Sequence, residues 1–286
     1  MANTEAASVR RLHEPTGDDL AGLQQLVVDS HWNQLPGDWA LFLSLGAVYA
    51  VRGEGGRIVA SGAVLPMGAS AGGAAGVSWI SMILVSPAVR GQGLGRAVFA
   101  RCLAHVQAEG RVPMLDATPQ GEALYAKFGF DTAWRFMRWR RPASGAASAP
   151  MPAEGALDAL ALLDQRALGF ERRALLAGLA AREGARCVRL GEAFALLRPG
   201  RTAVQAGPLH AIEEAEGTAL LQAIAAAVPE VLVIDVPESR MNMASTLRAC
   251  GFAPERPFAR MSLAGGLPLP GTETSLIQAV AGPEYA

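Results

Sequence analysis

Apolar positions along the chain switch between a period of two and a period near 3.6, and the switches lay out alternating strands and helices. Short apolar runs at residues 9–13, 47–52, 57–67, 77–85 and 112–117 have the length and β-branched content of strands. Behind Thr16 and Asp19, a capping pair, Leu20, Leu23, Leu26 and Val27 recur at helical spacing. Pro36 opens a second helical stretch to Leu45, at a position where a missing N–H costs nothing. Gly53-Glu54-Gly55-Gly56 turns the second and third strands into a hairpin, and residues 67–76, rich in Gly, Ala and Ser, read as a loop. Leu94, Val98, Phe99, Cys102, Leu103 and Val106 share one stripe of a further helix, which therefore packs on a sheet with Arg96, Arg101 and Glu109 facing outward. Thr118 and Pro119 start a short helix that Gly129 ends.

Residues 142–155 have no period and read as a linker. Beyond them the order repeats in weakened form. A helical stretch spans 157–182, strands fall at 187–191, 192–199 and 202–206, and a helix at 213–227, a strand at 231–236 and a helix at 242–250 follow. Leu247 to Phe252 echoes Tyr125 to Phe130, and each follows a strand carrying an Asp, Asp235 and Asp116. Where the first half has glycines at 91, 93 and 95, the second has Ile212-Glu213-Glu214 before its helix, offering bulk and like charge to an anion. The pattern predicts an α/β (α+β) chain of two units, 1–141 and 156–286, with ligand chemistry in the first.

Composition narrows this picture. Hydrophobic residues are 51 % of the 286, yet no uninterrupted apolar run reaches the ~18 residues of a spanning helix. The first residues lack a basic start and an apolar core of signal-peptide type, so the expectation is a cytoplasmic protein without membrane contact. Cys102, Cys187 and Cys250 are scattered without Cys-x-x-Cys spacing, which argues against a disulfide framework or a zinc site and for small core residues; no metal is expected. A net charge of −1 provides no field for nucleic acid. The basic cluster Arg135, Arg138, Arg140 and Arg141 is divided between the two faces of a strand and reads as a solvated strand edge with local ion pairs. Nothing in the sequence points to an oligomer.

The chemistry concentrates at Arg90-Gly91-Gln92-Gly93-Leu94-Gly95, between a strand and a helix start. Glycines admit a ligand to the backbone, and the helix start supplies unpaired N–H groups and partial positive charge, a cradle for a diphosphate. No Gly-Lys-Ser/Thr follows and the spacing is not Gly-x-Gly-x-x-Gly, which sets aside NTPases and dinucleotide folds. The order Val85-x-Pro87-x-x-Arg90-Gly91-x-Gly93-x-Gly95 resembles the acyl-CoA loop of the GNAT acetyltransferase superfamily, and Leu124-Tyr125-Ala126-Lys127-Phe128-Gly129-Phe130 is similar to its Leu-Tyr-x-x-x-Gly-Phe signature. With Trp79 to Pro87, Leu115 to Tyr125 and Ala281-Gly282-Pro283-Glu284, the chain resembles a bacterial subgroup of two-domain GNAT proteins whose C-terminal unit is reduced.

The resemblance implies an N-terminal GNAT fold with a central mixed sheet, a degenerate C-terminal GNAT-like domain, acetyl-CoA as co-substrate and an amine acceptor, here a small molecule. It implies donor contacts from Ile83, Leu84, Val85, Gln92, Leu94 and Thr118 beside the glycines, with Arg90 and Arg96 either meeting phosphate or simply solvated. Tyr125 is the candidate proton donor to the departing thiolate, the alternative being a packed tyrosine bonded to a carbonyl. The base stays open. Strand 77–85 lacks the Glu that many relatives place there, leaving Ser81 through water, Asp116 at the end of the next strand, or His210 from the second unit. Asp116 equally suits helix capping or turn bonding, and a lone histidine is commonly structural. Trp32, Asn33 and Gln34 resemble an acceptor-lining loop, although a Trp between helices is commonly a core plug. Rival readings are an acyl-CoA-binding regulatory module without turnover and a protein or peptide N-acetyltransferase.

Overall fold

A computed structural model describes residues 8–68, 76–263 and 272–286. The first half contains β1 (Arg10–Leu12), α1 (Gly17–Asp29), α2 (Pro36–Leu45), β2 (Ala47–Arg52), β3 (Ile58–Pro66), β4 (Val77–Val85), α3 (Leu94–Ala108), β5 (Val112–Ala117), α4 (Pro119–Ala126) and β6 (Phe130–Arg141). The second contains β7 (Ala153–Glu154), α5 (Leu157–Leu168), α6 (Arg173–Ala180), β8 (Arg186–Leu190), β9 (Ala193–Arg198), β10 (Val204–His210), α7 (Glu214–Ala227), β11 (Leu232–Pro237), α8 (Met241–Ala249), β12 (Ala253–Leu263) and β13 (Ile277–Ala279). The expected mixed α/β class is what forms. Thr16 and Asp19 close the capping box of α1, and Pro36 stands in the first turn of α2.

The strands join in one sheet in the order β1-β2-β3-β4-β5-β12-β6-β11-β10-β9-β8-β7, with β13 on β10. Each half has one parallel pair, β4 with β5 and β10 with β11, and antiparallel neighbours elsewhere. The last long strand of each half crosses to the other. β12 pairs with β5 from Ala259 opposite Ala117 to Ser262 opposite Met114, while β6 pairs with β11 along its second part. β6 and β12 then pair with each other from Phe130 opposite Leu263 to Ala253 opposite Arg140.

Two buried ion pairs latch this exchange. On one side Arg260 of β12 grips both carboxylate oxygens of Asp116 on β5, at 2.9 Å each. On the other, Arg138 of β6 grips Asp235 of β11 at 2.8 and 2.7 Å, and Gln205 adds a bond to the same carboxylate. The Asp that recurs in each half is thus the anchor for the arginine of the strand arriving from the opposite half.

Packing follows the exchange. One core gathers Leu23, Trp39 and Phe42 of the first half with Leu160, Phe170, Leu175 and Tyr285 of the second. Separate clusters lie under α3 and α4 and under α7 and α8. The stretch 142–152 has no helix or strand, but it lies against the end of α7 through backbone N–H bonds of Ser144 and Ser148, and residues 153–154 join the sheet as β7. The arginine cluster departs from the expected solvated edge: β6 is a central strand, Arg138 is buried on Asp235, and Arg141 caps carbonyls of residues 225, 228 and 230. The predicted helix 157–182 is two helices, broken where Gly169 takes a left-handed conformation and Phe170 turns into the core. Residues 69–75 of the expected loop at 67–76 lie outside the described residues.

Candidate active site

β4 and β5 pair only from Val77–Val112 to Trp79–Met114, after which the two strands part. A bulge on β4 assists. Ser61 faces Leu84 and Ala63 faces Ser81, so Met82 and Ile83 share the single opposing residue Gly62, and Met82 takes a φ of 55°. Gly62 is needed there: an added Cβ would come within 2.5 Å of Val98 on α3 and 2.7 Å of Ile83. Ser61 Oγ donates to Met82 O and holds the kink.

The parting opens a cleft lined among others by Trp32, Gln34, Ser81, Asp116, Thr118 and Tyr125, which brings together all three predicted catalytic residues and two of the four predicted acceptor residues. Tyr125 arrives on the last turn of α4, its ring centroid 4.5 Å from that of Phe99. Burial pushes its phenol well above the ordinary range, so it keeps its proton at neutral pH. Thr118 caps α4. Ser81 Oγ and Gln34 Oε1 are buried and, among the described residues, have no hydrogen-bond partner.

Other candidates fall elsewhere. Asn33 clamps the second half, accepting from the N–H groups of Thr202 and Ala203 and donating to Ala203 O. His210 ends β10 inside the protein, its Nε2 2.8 Å from Asp164, which also holds Arg172; it does not line the cleft. The predicted strand 202–206 runs on to His210 because it is paired on both sides, by β9 and β13. Asp116 lines the cleft, but Arg260 occupies both of its oxygens, so it neither caps a helix nor bonds a turn. Burial pushes its carboxyl up to about 6 against the pull of Arg260.

A carboxylate that sequence reasoning did not single out completes the cleft. Glu284 is 5 % exposed; Oε1 sits 2.8 Å from Arg198, and Oε2 is buried without a partner among the described residues. The segment presenting it threads between the halves: Trp79 Nε1 donates to Pro283 O, and Tyr285 stacks on Phe42 and donates to Asp38. Arg138 and Arg256 also line the cleft, over Phe258. The signal available in the sequence was the Gly-Pro-Glu at 282–284, which carries a polar residue into an apolar stretch.

Beyond the cleft, β4 continues through Ile83, Leu84 and Val85 to the glycine loop. Gly91 and Gly93 both have φ of 79°, a conformation costly to side chains, and Gly93 stands as N-cap of α3 with no side chain bonding the first turn. The first amides of a 15-residue helix are therefore free for an anion. Arg90 Nε bonds Val85 O, and Arg96 lies over the Phe128 ring. Gln92 is exposed. No group of side chains suited to a metal ion occurs among the described residues.

A model of the Acetyltransferase (GNAT) family matches residues 20–130, and one of the Acetyltransferase (GNAT) domain matches 160–277. The chain belongs to the GNAT superfamily, with a GNAT unit in each half. Among solved structures, this GNAT protein is similar to a candidate acetyltransferase from Pyrococcus horikoshii (19 % identity, TM-score 0.79, 100 % of this chain and 99 % of that one). It is also similar to a tandem GNAT protein from the clavulanic acid biosynthesis pathway (16 %, 0.61, 89 % and 98 %) and a GCN5-related N-acetyltransferase from Sphaerobacter thermophilus (15 %, 0.59, 92 % and 98 %). At these identities the likeness is one of fold. No curated protein matches the sequence. Among the described residues no helix is long and apolar enough to cross a membrane.

Proposed function

We propose that this GNAT protein is an N-acetyltransferase that moves an acetyl group from acetyl-CoA to a primary amine on a small molecule. The observation that carries the reading is the meeting of Tyr125 and Glu284 in one cleft, at the point where β4 and β5 part and beside a strand leading to an uncapped helix start. Gly91 to Gly95 suit a diphosphate because any Cβ at 91 or 93 would be strained and no side chain competes for the amides.

In this reading backbone N–H groups near Leu84 hold the carbonyl oxygen of the donor thioester. Glu284, through the oxygen left free by Arg198, takes a proton from the acceptor nitrogen. As the N–C bond forms and the C–S bond breaks, Tyr125 gives its proton to the departing sulfur and regains one from solvent. Residues 1–141 supply the donor site; residues 156–286, through β12 and the segment 280–286, wall the acceptor side, and 142–155 connect them. The enclosed cleft favours a small acceptor over a protein chain. Glu284 also supplies the carboxylate that β4 lacks, which weakens the reading of a binding module without turnover.

Calorimetry with acetyl-CoA and steady-state rates test this. Gly93→Glu should abolish acetyl-CoA binding, whereas Glu284→Gln should keep it and lower kcat by about 10²-fold. Unchanged binding in the first variant or an unchanged rate in the second defeats the proposal.

A further inference from the structure

The arginines around the cleft are not equivalent. Arg138 is locked on Asp235, Arg260 on Asp116 and Arg198 on Glu284. Arg256 lines the same cleft and, among the described residues, no carboxylate or other hydrogen-bond acceptor meets its guanidinium. Its Nε is buried and unpartnered, and its charge rests on the face of the Phe258 ring, 4.8 Å from the centroid. It comes from β12, where its Cα stands opposite that of Arg138. Burial and the nearby Arg138 charge push its pKa down against the weaker pull of the Glu255, Asp235 and Glu284 charges, none of which it pairs with among the described residues, and an arriving anion would relieve that environment.

Arginine is a residue whose fork of donors matches a carboxylate, and an oriented, half-buried, unpaired one is prepared for a ligand anion. The diphosphate cradle is not competing for it, because that lies beyond the far end of β4. Glu284 in the same cleft supplies the opposite charge. We infer that Arg256 receives a carboxylate of the acceptor, so that the amine acetylated here belongs to an amino acid or a related aminocarboxylate. This rests on the transferase reading above and adds the substrate class to it.

The experiment compares matched ligands by calorimetry in the presence of CoA: glutamate with 4-aminobutyrate as a second aminocarboxylate, and lysine, histidine and tyrosine each against its decarboxylated amine. O-phosphoethanolamine against ethanolamine forms a separate arm. At least one carboxylated member should bind at least tenfold more tightly than its decarboxylated partner, and this ratio should collapse toward about one in Arg256→Met. Arg256→Lys, which keeps the charge and loses the fork, should fall between them. CoA affinity of each variant reports that it is folded.

Equal affinity within every pair, no binding by any carboxylated ligand, or a ratio indifferent to Arg256 overturns the inference, and so does a preference confined to the phosphorylated arm. Because binding is read without turnover, a carboxylate-selective protein that transfers no acetyl group would defeat the transferase reading, and with it the acceptor class, and leave only the carboxylate contact of Arg256 standing.

Discussion

Replacing Tyr125 with Phe removes one oxygen from the cleft, and the structure separates what that does to stability from what it does to rate. Among the described residues the Tyr125 hydroxyl makes no hydrogen bond, so its loss strands no buried partner, and the ring keeps its contact with Phe99. Stability should change by less than about 1 kcal/mol, a shift in Tm of no more than about 4 °C for a chain of this size. Rate should behave differently. A general acid contributes about 10²-fold or more, so the maximal rate should fall by at least about 2.7 kcal/mol of transition-state stabilisation while acetyl-CoA affinity holds.

The pH profile provides a second check. Because burial raises the phenol pKa, the proton-bearing form persists, and the wild-type rate should show no loss from Tyr125 ionisation up to about pH 10. Thermal unfolding, acetyl-CoA calorimetry and steady-state rates with an acceptor that the wild type uses decide the matter. An unchanged rate in Tyr125→Phe, or a fall in rate matched by lost acetyl-CoA affinity, refutes the proton-donor role. A companion variant tests position: a Cβ at Gly121 would stand 2.9 Å from the Tyr125 ring, so Gly121→Ala should slow transfer with the hydroxyl still present.

Two further outcomes concern the exchanged strands. Asp116→Asn leaves Arg260 buried between Trp79 and Trp134 without its counter-charge and should cost about 3–5 kcal/mol in chemical denaturation; a loss under 1 kcal/mol would show that the pair does not latch the halves. A chain shortened to residues 1–141 lacks both neighbours of β6 and should aggregate or fail to show native circular dichroism, whereas a monomeric, folded fragment that binds CoA would refute a shared sheet as the basis of stability.

Local patterns in the sequence were strong enough to place most of this fold. The ranges of α2, β4 and β5 agree with those read from apolar spacing, and the cap of α1 was visible in two residues. β12 was not anticipated, because Pro254 and Pro257 argue against a central strand; a bulge between Pro254 and Arg256 interrupts the ladder there. Nor does spacing say which neighbour a strand will choose, so the recurring Asp read only as an echo between the halves where it marks a latch.

Within the site, the helix-borne Tyr125 and the strand-borne Ser81 were legible because their motifs are contiguous. Glu284 and Arg256 were missed because they reach the cleft from residues more than 120 positions beyond the loop, through tertiary packing alone. His210 looked free only because its partner Asp164 lies 46 residues away.

The crossing of β6 and β12 also sets a timetable for synthesis. When Arg141 leaves the ribosome, neither strand that will flank β6 exists yet, and the second of them ends at Leu263. Until then the nascent chain carries the open edges of β5 and β6 and an apolar face awaiting α5 and α6. Half a protein is therefore of no use to the cell and a hazard to it, and this gene should tolerate premature stops, splitting and domain shuffling poorly, however readily its sequence divides into two similar parts.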